Sequence, residues 1–254
     1  MRLPRTRRAR VTASLTVLAV LATGSVVIGR TAGSPQTTAR PAGTGAPRGA
    51  HHRPSRPAIV PRTAWHAESV STAPAARYAP AVRAAVIHHT STPNDYDCAS
   101  VPGTLRGLYA GHAHGRHWDD IGYNFLVDAC GTIYEGRAGG VDRAVIGAHT
   151  KGFNEGTVGI AAIGTFPEGT PVPEPMLDAI ARLVAWKLDP AGPDPRGTVS
   201  LVSTSDESRF PEGTKAALPV VGGHTDGYPT GCPGAALYAR LPDISARAAR
   251  LQRR

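Results

Sequence analysis

The sequence predicts an α/β fold, a single domain in which a central mixed β-sheet is flanked by helices. Over residues 58–254, apolar runs of strand length alternate with longer segments of helical periodicity, a pattern typical of a sheet covered by helices. Two short apolar runs on either side of a glycine add an antiparallel hairpin. The 254 residues, 41% of them hydrophobic, suffice for one domain with a substantial core.

The first half of this domain predicts a strand, a helix and a hairpin. Residues 84–89 begin with an apolar run and end at two histidines, which indicates a buried strand leading into a polar edge. Residues 99–114 have apolar positions at helical spacing. Residues 124–128 and 132–135 predict the two strands of a hairpin with its turn at Gly131.

The second half predicts a central strand, two helices and a short strand. Residues 157–164 are apolar almost without interruption, as expected at the centre of a sheet. Residues 173–188 have the spacing of an amphipathic helix. Proline, glycine, serine and aspartate are frequent in residues 189–217, so we expect mostly loop there. A short strand at 218–223 and a final helix at 235–251 complete the prediction.

Residues 1–30 are predicted to be an export signal. Five arginines in the first ten residues precede an uncharged, largely apolar run over residues 11–28, which is the order found in secretory signals. This run also reaches the lower length limit of a membrane span, so an uncleaved anchor is the alternative. Residues 31–57 contain almost no large apolar side chain and predict a disordered linker, which leaves 58–254 as the folded domain.

The net charge of +9 is concentrated near the N-terminus. Residues 1–62 hold eleven arginines and no acidic residue, so the remaining 17 basic and 19 acidic residues carry a net charge of −2. Binding to nucleic acid or heparin needs clustered positive charge on the folded part, and residues 58–254 contain no basic stripe. We therefore expect no nucleic-acid partner.

Three cysteines cannot all pair with one another in an exported chain. Cys98, at the start of a predicted helix, and Cys130, at the predicted hairpin turn, would form a disulfide that stabilises the fold by about 3–4 kcal/mol. Cys232 is then left over. A free thiol in an oxidising compartment is oxidised readily unless it is buried or bound to a metal.

The surroundings of Cys232 suggest a zinc site. His224 lies eight residues earlier in the same predicted loop, although this pair alone does not exclude a buried thiol beside an unrelated histidine. His88 at the end of the first strand adds a third ligand, and two imidazoles with one thiolate leave zinc an open position for water. We leave out His89, because consecutive side chains of a strand point to opposite faces.

Four stretches of the chain resemble one known family. They are Val86-Ile-His-His-Thr, Asp120-Ile-Gly-Tyr-Asn-Phe-Leu-Val, Tyr134-Glu-Gly-Arg together with Gly147-Ala-His-Thr-Lys-Gly-Phe-Asn, and Gly223-His-Thr-Asp-Gly-Tyr-Pro-Thr-Gly-Cys-Pro-Gly. In this order they resemble the peptidoglycan recognition proteins and the phage-type N-acetylmuramoyl-L-alanine amidases, the type 2 amidase family. The resemblance covers about residues 58–245 and implies, with the export signal, a secreted member of actinobacterial type.

The resemblance also implies a zinc-containing cleft and roles for six residues. The implied zinc ligands are His88, His224 and Cys232. The implied catalytic candidates are Tyr123 near the zinc water, Thr230 two residues before the cysteine, and His149 in the substrate cleft. Which of these three donates to an oxyanion and which transfers a proton stays open.

The activity that the resemblance implies is that of a zinc-dependent N-acetylmuramoyl-L-alanine amidase. Such an enzyme hydrolyses the amide bond between N-acetylmuramic acid and L-alanine in bacterial peptidoglycan. Family members without the cysteine ligand bind peptidoglycan and do not cut it, so a non-hydrolytic binding module is the alternative, against which Cys232 argues. A zinc peptidase acting within the stem peptide is disfavoured, since the chain contains no His-Glu-x-x-His motif.

The expected partner is peptidoglycan, in the form of a glycan strand that carries stem peptides. We expect a secreted, extracellular monomer that is not inserted in the membrane once its signal has been removed. Association with the cell wall, or an N-terminal anchor, is the alternative location.

Overall fold

A computed structural model describes residues 54–71, 73, 75–188 and 191–253 of the chain. The predicted export signal over residues 1–30 and all but the last four residues of the predicted linker over 31–57 lie outside these ranges. Among the residues described, none of the helices combines the length and the apolar character needed to cross a bilayer.

Within the described ranges, seven strands form two sheets. They are β1 (Ala84–His89), β2 (Phe125–Val127), β3 (Ile133–Glu135), β4 (Thr157–Ala162), β5 (Thr198–Val202), β6 (Lys215–Pro219) and β7 (Val221–Gly223). The main sheet has the order β3-β2-β4-β1-β7, in which β2 and β3 are antiparallel and the other neighbours are parallel. The predicted mixed sheet, the hairpin and the central position of β4 are confirmed.

Five helices accompany the sheets in this part of the chain. They are α1 (Val101–Ala110), α2 (Glu174–Lys187), α3 (His224–Gly227), α4 (Ala235–Tyr238) and α5 (Leu241–Leu251). The predicted helix over 173–188 corresponds to α2, and nine of its 14 residues are buried. The predicted helix over 99–114 corresponds to α1 with a short 3-10 turn before it and a π-helical turn, Gly111–Gly115, after it. Such π turns are frequent at functional sites.

The two faces of the main sheet hold separate apolar clusters. In β2, Phe125 and Val127 belong to the cluster that contains α2, whereas Leu126 belongs to the cluster that contains α1, as the alternation of side chains along a strand requires. Ala161 of β4 also lies on the α1 face, and His88 is its partner in register. The register therefore directs the side chain of His88 to the α1 face of the sheet.

Residues 189–217 are mostly loop, as expected, but they also contain two strands that the sequence did not predict. Strands β5 and β6 pair antiparallel as a separate two-stranded sheet, and in each strand buried and exposed residues alternate. The buried side chains join the α2 cluster. The strand predicted over 218–223 is in fact the end of β6 and the whole of β7, between which the chain passes from the small sheet to the main one.

The single final helix expected over 235–251 is divided. Helix α4 ends at Tyr238 and α5 begins at Leu241, with Pro242 in its first turn. Proline lacks the N–H that an uninterrupted helix would need there and its ring clashes with the preceding turn, whereas in the first turn of a new helix neither matters.

The predicted disulfide between Cys98 and Cys130 is confirmed, and Cys232 is a free thiol. The bond joins the start of the α1 segment to the turn between β2 and β3, where Gly131 has a φ of +84°. A positive φ favours glycine. The glycine from which the turn was predicted is therefore also the residue that the backbone conformation of the turn requires.

Candidate metal centre

Three predicted ligands meet at the carboxyl ends of β1 and β7. These strands are parallel neighbours in which Ile87 is paired with Gly223, so the residues that follow, His88 and His224, come to lie side by side. Their ring centroids are 4.5 Å apart. With Cys232 they form a group whose ligand atoms all lie within 4.8 Å of one another.

The loop that follows α3 places Cys232 beside the end of β1. The backbone N–H of Thr225 donates to the carbonyl of Cys232 (2.9 Å), and the backbone N–H of His89 donates to its Sγ (3.3 Å). The same Sγ lies 3.7 Å from Nδ1 of His88. Burial raises the pKa of the Cys232 thiol to about 11, so the thiolate at this position needs a cation beside it.

A chain of hydrogen bonds fixes the tautomer of His88. The hydroxyl of Thr157 donates to the carbonyl of Phe153 (2.6 Å), so its oxygen is free to accept from Nε2 of His149 (3.4 Å). Nδ1 of His149 then accepts from Nε2 of His88 (3.1 Å), and the Thr150 hydroxyl lies 3.0 Å from the same Nδ1 and 3.5 Å from the same Nε2. The remaining nitrogen of His88, Nδ1, is left with a lone pair that faces the Cys232 sulfur, which is the arrangement a metal ligand needs.

His149 itself is held tightly behind His88. Its backbone N–H and that of Thr150 donate to Oδ1 of Asn154 (2.8 and 2.9 Å). Its ring lies directly over Gly159 of β4, where an added Cβ would be 2.3 Å from the ring atom Cγ. Only glycine at this position leaves room for the ring.

The histidines of the site are neutral at physiological pH. Burial lowers the pKa of His88 well below its ordinary value, and it lowers that of His149 to about 3 and that of His224 to about 4. The ring of His224 also stacks on Tyr228, with centroids 5.4 Å apart. Neutral imidazole is the form that binds metals.

This donor set fits a zinc ion. Two imidazole nitrogens and one thiolate are preferred zinc ligands, and three protein ligands are typical of a catalytic rather than a structural site. In a tetrahedral zinc site a nitrogen and a sulfur ligand lie about 3.5 Å apart, close to the 3.7 Å between His88 Nδ1 and Cys232 Sγ. The other possible group among the described residues contains Cys98 and Cys130, whose sulfurs are bonded to each other.

Tyr123 and Thr230 lie beside this group. The ring of Tyr123 is 5.2 Å from that of His88, and burial, with a smaller effect of the Cys232 sulfur, raises its pKa to about 12. Its O–H is therefore a hydrogen-bond donor at neutral pH. The Thr230 hydroxyl accepts from the backbone N–H of Cys232 (3.2 Å) and keeps its own proton for donation.

The group opens into a cleft of about 680 Å³, beside which lies a cavity of about 350 Å³. Five of the six predicted site residues line the cleft: Tyr123, His149, His224, Thr230 and Cys232. His88, 1% exposed, lies beneath them. Residues without a sequence-predicted role also line the cleft or its neighbour: His112, Arg116, Trp118, Lys151 and Tyr228. Two of these residues, His112 and Arg116, are four positions apart at the end of a helix, so their side chains lie on one helix face. This spacing is a sequence signal from which their common position could have been predicted.

The loop between β5 and β6, residues 203–214, supports α3 from outside. The backbone N–H of Arg209 donates to the carbonyl of Gly227 (3.0 Å), and its guanidinium donates to the carbonyl and to the hydroxyl of Thr225. Phe210 of the same loop packs edge-on against Phe153, with centroids 5.9 Å apart. The loop thus connects the segment behind His149 to the helix that begins with His224.

Comparison with known proteins identifies the family. A family model described as N-acetylmuramoyl-L-alanine amidase matches residues 77–235, more than half of the chain. The chain belongs to this amidase family. The matched range includes all six predicted site residues, and the family predicted from the four motifs is confirmed.

Two curated relatives illustrate the sequence similarity. The amidase-family domain is similar to peptidoglycan-recognition protein LE of Drosophila melanogaster, with 39% identity over 114 residues that make up 45% of this chain and 32% of the relative. It is also similar to the N-acetylmuramoyl-L-alanine amidase of Mus musculus, with 34% identity over 118 residues, 45% of this chain and 21% of the relative. The chain thus spans less than two thirds of the length of these relatives.

Solved structures of similar fold cover more of the chain. Peptidoglycan recognition protein LE in complex with tracheal cytotoxin, a monomeric diaminopimelic acid-type peptidoglycan, has a TM-score of 0.56 and 28% identity, over 73% of this chain and 92% of that one. Human PGRP-IβC in complex with glycosamyl muramyl pentapeptide has a TM-score of 0.55 and 27% identity, over 73% and 95%. The fold class of the amidase-family domain is therefore confirmed.

Proposed function

We propose that this amidase-family domain is a zinc-dependent N-acetylmuramoyl-L-alanine amidase that hydrolyses the bond between N-acetylmuramic acid and L-alanine in bacterial peptidoglycan. The observation that carries the proposal is the complete ligand group of His88, His224 and Cys232 at the bottom of an open cleft. The tautomer of His88, fixed from behind by His149, supports it further.

We propose peptidoglycan as the partner on two grounds. Structural neighbours were solved with tracheal cytotoxin and with a glycosamyl muramyl pentapeptide. The cleft also carries Arg116, whose positive charge suits a carboxylate of a stem peptide, whereas Lys151 of the adjoining cavity is paired with Glu207 (2.6 Å). Both features support a ligand that is part sugar and part acidic peptide.

The residues around the metal position have separate roles in the proposed reaction. Zinc, when bound, polarises the scissile carbonyl and lowers the pKa of water. The hydroxyls of Tyr123 and Thr230 donate hydrogen bonds to the negative charge that develops on the carbonyl oxygen. Tyr123 keeps its proton at neutral pH and so can also supply one to the departing amine. His149 orients His88.

The second candidate is a peptidoglycan-binding module without hydrolytic activity. Several similar proteins are peptidoglycan recognition proteins, which favours a binding function as such. Cys232 distinguishes the two candidates, because a binding module has no need of a thiol between two neutral imidazoles.

Mass spectrometry of the products released from peptidoglycan tests the proposal. The purified protein should release free stem peptides that begin with L-alanine. A chelator should abolish this release and added zinc should restore it, and the Cys232→Ser variant should release none. If the wild-type protein binds peptidoglycan but releases nothing in the presence of zinc, the binding module is the correct function.

We further propose that residues 1–30 direct export, that 31–57 are a linker and that 58–254 form the enzyme domain, so that the mature protein acts outside the cytoplasm. N-terminal sequencing of the protein recovered from the culture medium is the test. A mature N-terminus near residue 30 supports a cleaved signal, and an intact N-terminus in the membrane fraction supports an anchor.

A further inference from the structure

Two exposed arginines on the helices α2 and α5 have no acidic partner among the residues that the structure describes. Arg182 belongs to α2 and Arg250 to α5. Both line one cavity of about 520 Å³, and all the other lining residues also come from these two helices. Because the two arginines are far apart along the chain, no run of basic residues marks this cavity in the sequence.

The acidic groups of the same cavity are already engaged. Asp178 and Asp243 line it, and both carboxylates accept hydrogen bonds from Arg247. To Asp243 these bonds are 3.0 Å from Nε and 2.7 Å from Nη2. The positive charges of Arg182 and Arg250 are therefore not balanced by the carboxylates that lie beside them.

This cavity and the candidate metal centre lie on opposite faces of the main sheet. Buried residues of α2 and α5 belong to the apolar cluster that also contains Phe125 and Val127. His88 is directed to the other face, where Leu126 and Ala161 join the cluster of α1. A ligand group in the cavity thus leaves the cleft free for another part of the same polymer.

The chemistry of the cavity suits an acidic peptide. Guanidinium groups bind carboxylates through paired, charge-assisted hydrogen bonds. Leu251, 40% exposed, adds an apolar contact at the same cavity. The stem peptides of peptidoglycan combine carboxylates with small aliphatic side chains, and they repeat along every strand. On such a repeating ligand, a second weak site increases overall affinity, because the second contact is made at high effective concentration.

We propose that the face of α2 and α5 around Arg182 and Arg250, the arginine face, is a second binding surface for the acidic stem peptides of peptidoglycan. It holds the domain on the insoluble wall while the cleft takes a stem peptide on a neighbouring strand. A soluble fragment with one stem peptide gains nothing from it, because such a fragment cannot occupy both sites at once. This inference rests on the proposed partner but not on the proposed hydrolysis.

Removing the two charges tests the arginine face. The double variant Arg182→Gln, Arg250→Gln should sediment with insoluble peptidoglycan, freed of attached phosphodiester polymers, at least about fivefold more weakly than wild type. The difference should shrink as salt is added, since exposed charges are screened. Arg77→Gln with Arg83→Gln is the matched control: both arginines are exposed and neither lines the cavity, so this variant should bind like wild type. Equal binding by all three proteins would overturn the proposal.

Kinetics separate the arginine face from a general effect on the fold. The Arg182→Gln, Arg250→Gln variant should raise KM for insoluble peptidoglycan and leave kcat/KM for soluble N-acetylmuramoyl tripeptide unchanged. An equal loss on both substrates would contradict a surface that acts only on the polymer. A binding loss confined to walls that retain phosphodiester polymers would also overturn the proposal, because those polymers would then be the ligand. If wild type cuts neither substrate but shows the arginine-dependent binding, the amidase function fails and the arginine face stands.

Discussion

The candidate metal ligands are held in two different ways. His88 is part of β1, which is hydrogen-bonded to β4 on one side and to β7 on the other, and it is buried. His224 and Cys232 belong to a four-residue helix and to the loop that follows it. The position of the first ligand is set by the whole sheet, whereas the positions of the other two depend on a few specific contacts.

These contacts are of different strength in the two regions. Behind His88, the hydrogen bonds of His149 and Thr157 are fully buried. Around His224, Arg209 reaches α3 from an exposed loop. A hydrogen bond shielded from water contributes more than an exposed one, so the comparison predicts a ranking of effects on zinc affinity.

The largest loss of zinc affinity is expected from removing a ligand. Cys232→Ser replaces the thiolate with a hydroxyl that does not ionise near neutral pH, so zinc affinity should fall by more than about a hundredfold, beyond the range typical of groups that only support a ligand. Competition with a chromogenic chelator measures this. Zinc bound by the variant as tightly as by wild type would remove Cys232 from the ligand group.

The next largest effect is expected from the buried support of His88. Thr157→Val keeps the shape of the side chain but takes away the acceptor for His149 Nε2, so the tautomer of His88 is no longer fixed. Zinc affinity should fall about tenfold, at the lower end of the effects of such supporting groups. Thr198→Val, at an exposed position in β5, is the matched control. Equal affinities of the two variants would argue against the hydrogen-bond chain.

A smaller effect is expected from the support of α3. Arg209→Ala removes the two hydrogen bonds from the guanidinium to Thr225, the residue that follows His224. Zinc affinity should fall severalfold, less than for Thr157→Val, because water competes for these contacts. Arg196→Ala is the control, since Arg196 is also exposed and pairs with Asp194. An effect of Arg209→Ala larger than that of Thr157→Val would reverse the comparison.

The smallest effect on zinc is expected from the disulfide. The double substitution Cys98→Ser and Cys130→Ser should lower the free energy of unfolding by about 3–4 kcal/mol, measured by urea denaturation. Zinc affinity of the folded protein should change less than twofold, because neither ligand region is attached to this bond. A large loss of zinc affinity would show that the α1 segment helps to position the metal centre.

The same comparison explains which parts could be predicted from the sequence. Strands β1 and β4 and helix α2 are recognisable because their apolar periodicity extends over enough residues. Strands β5 and β6 are only five residues each. Their alternation of apolar and polar residues is short, and the surrounding proline and glycine favoured the prediction of a loop. The division between α4 and α5 depends on one proline, whose effect is decided by packing as much as by sequence.

The site was predictable as a set of residues but not as a network. The unpaired Cys232, its spacing from His224 and the strand end at His88 indicated the candidate ligands, which the structure brings together, and the family resemblance added Tyr123, Thr230 and His149 as candidates. The order of donors and acceptors from Phe153 to His88 depends on three-dimensional distances. The contact of Arg209 with α3 joins two loops, and no periodicity or motif signals such a contact.

Gly159 determines where the ring of His149 can lie, because that ring packs directly on it. It is hydrogen-bonded to Asn124 through both its N–H and its carbonyl, so β4 has no freedom to retreat from the ring of His149. A single methyl group at this position would displace that ring and disturb the metal centre from behind, while every ligand and the whole cleft surface keep their chemical identity. If the proposed amidase function holds, a Gly159→Ala protein should bind cell-wall fragments without cutting them, so that one added carbon atom would turn the enzyme into a capture reagent.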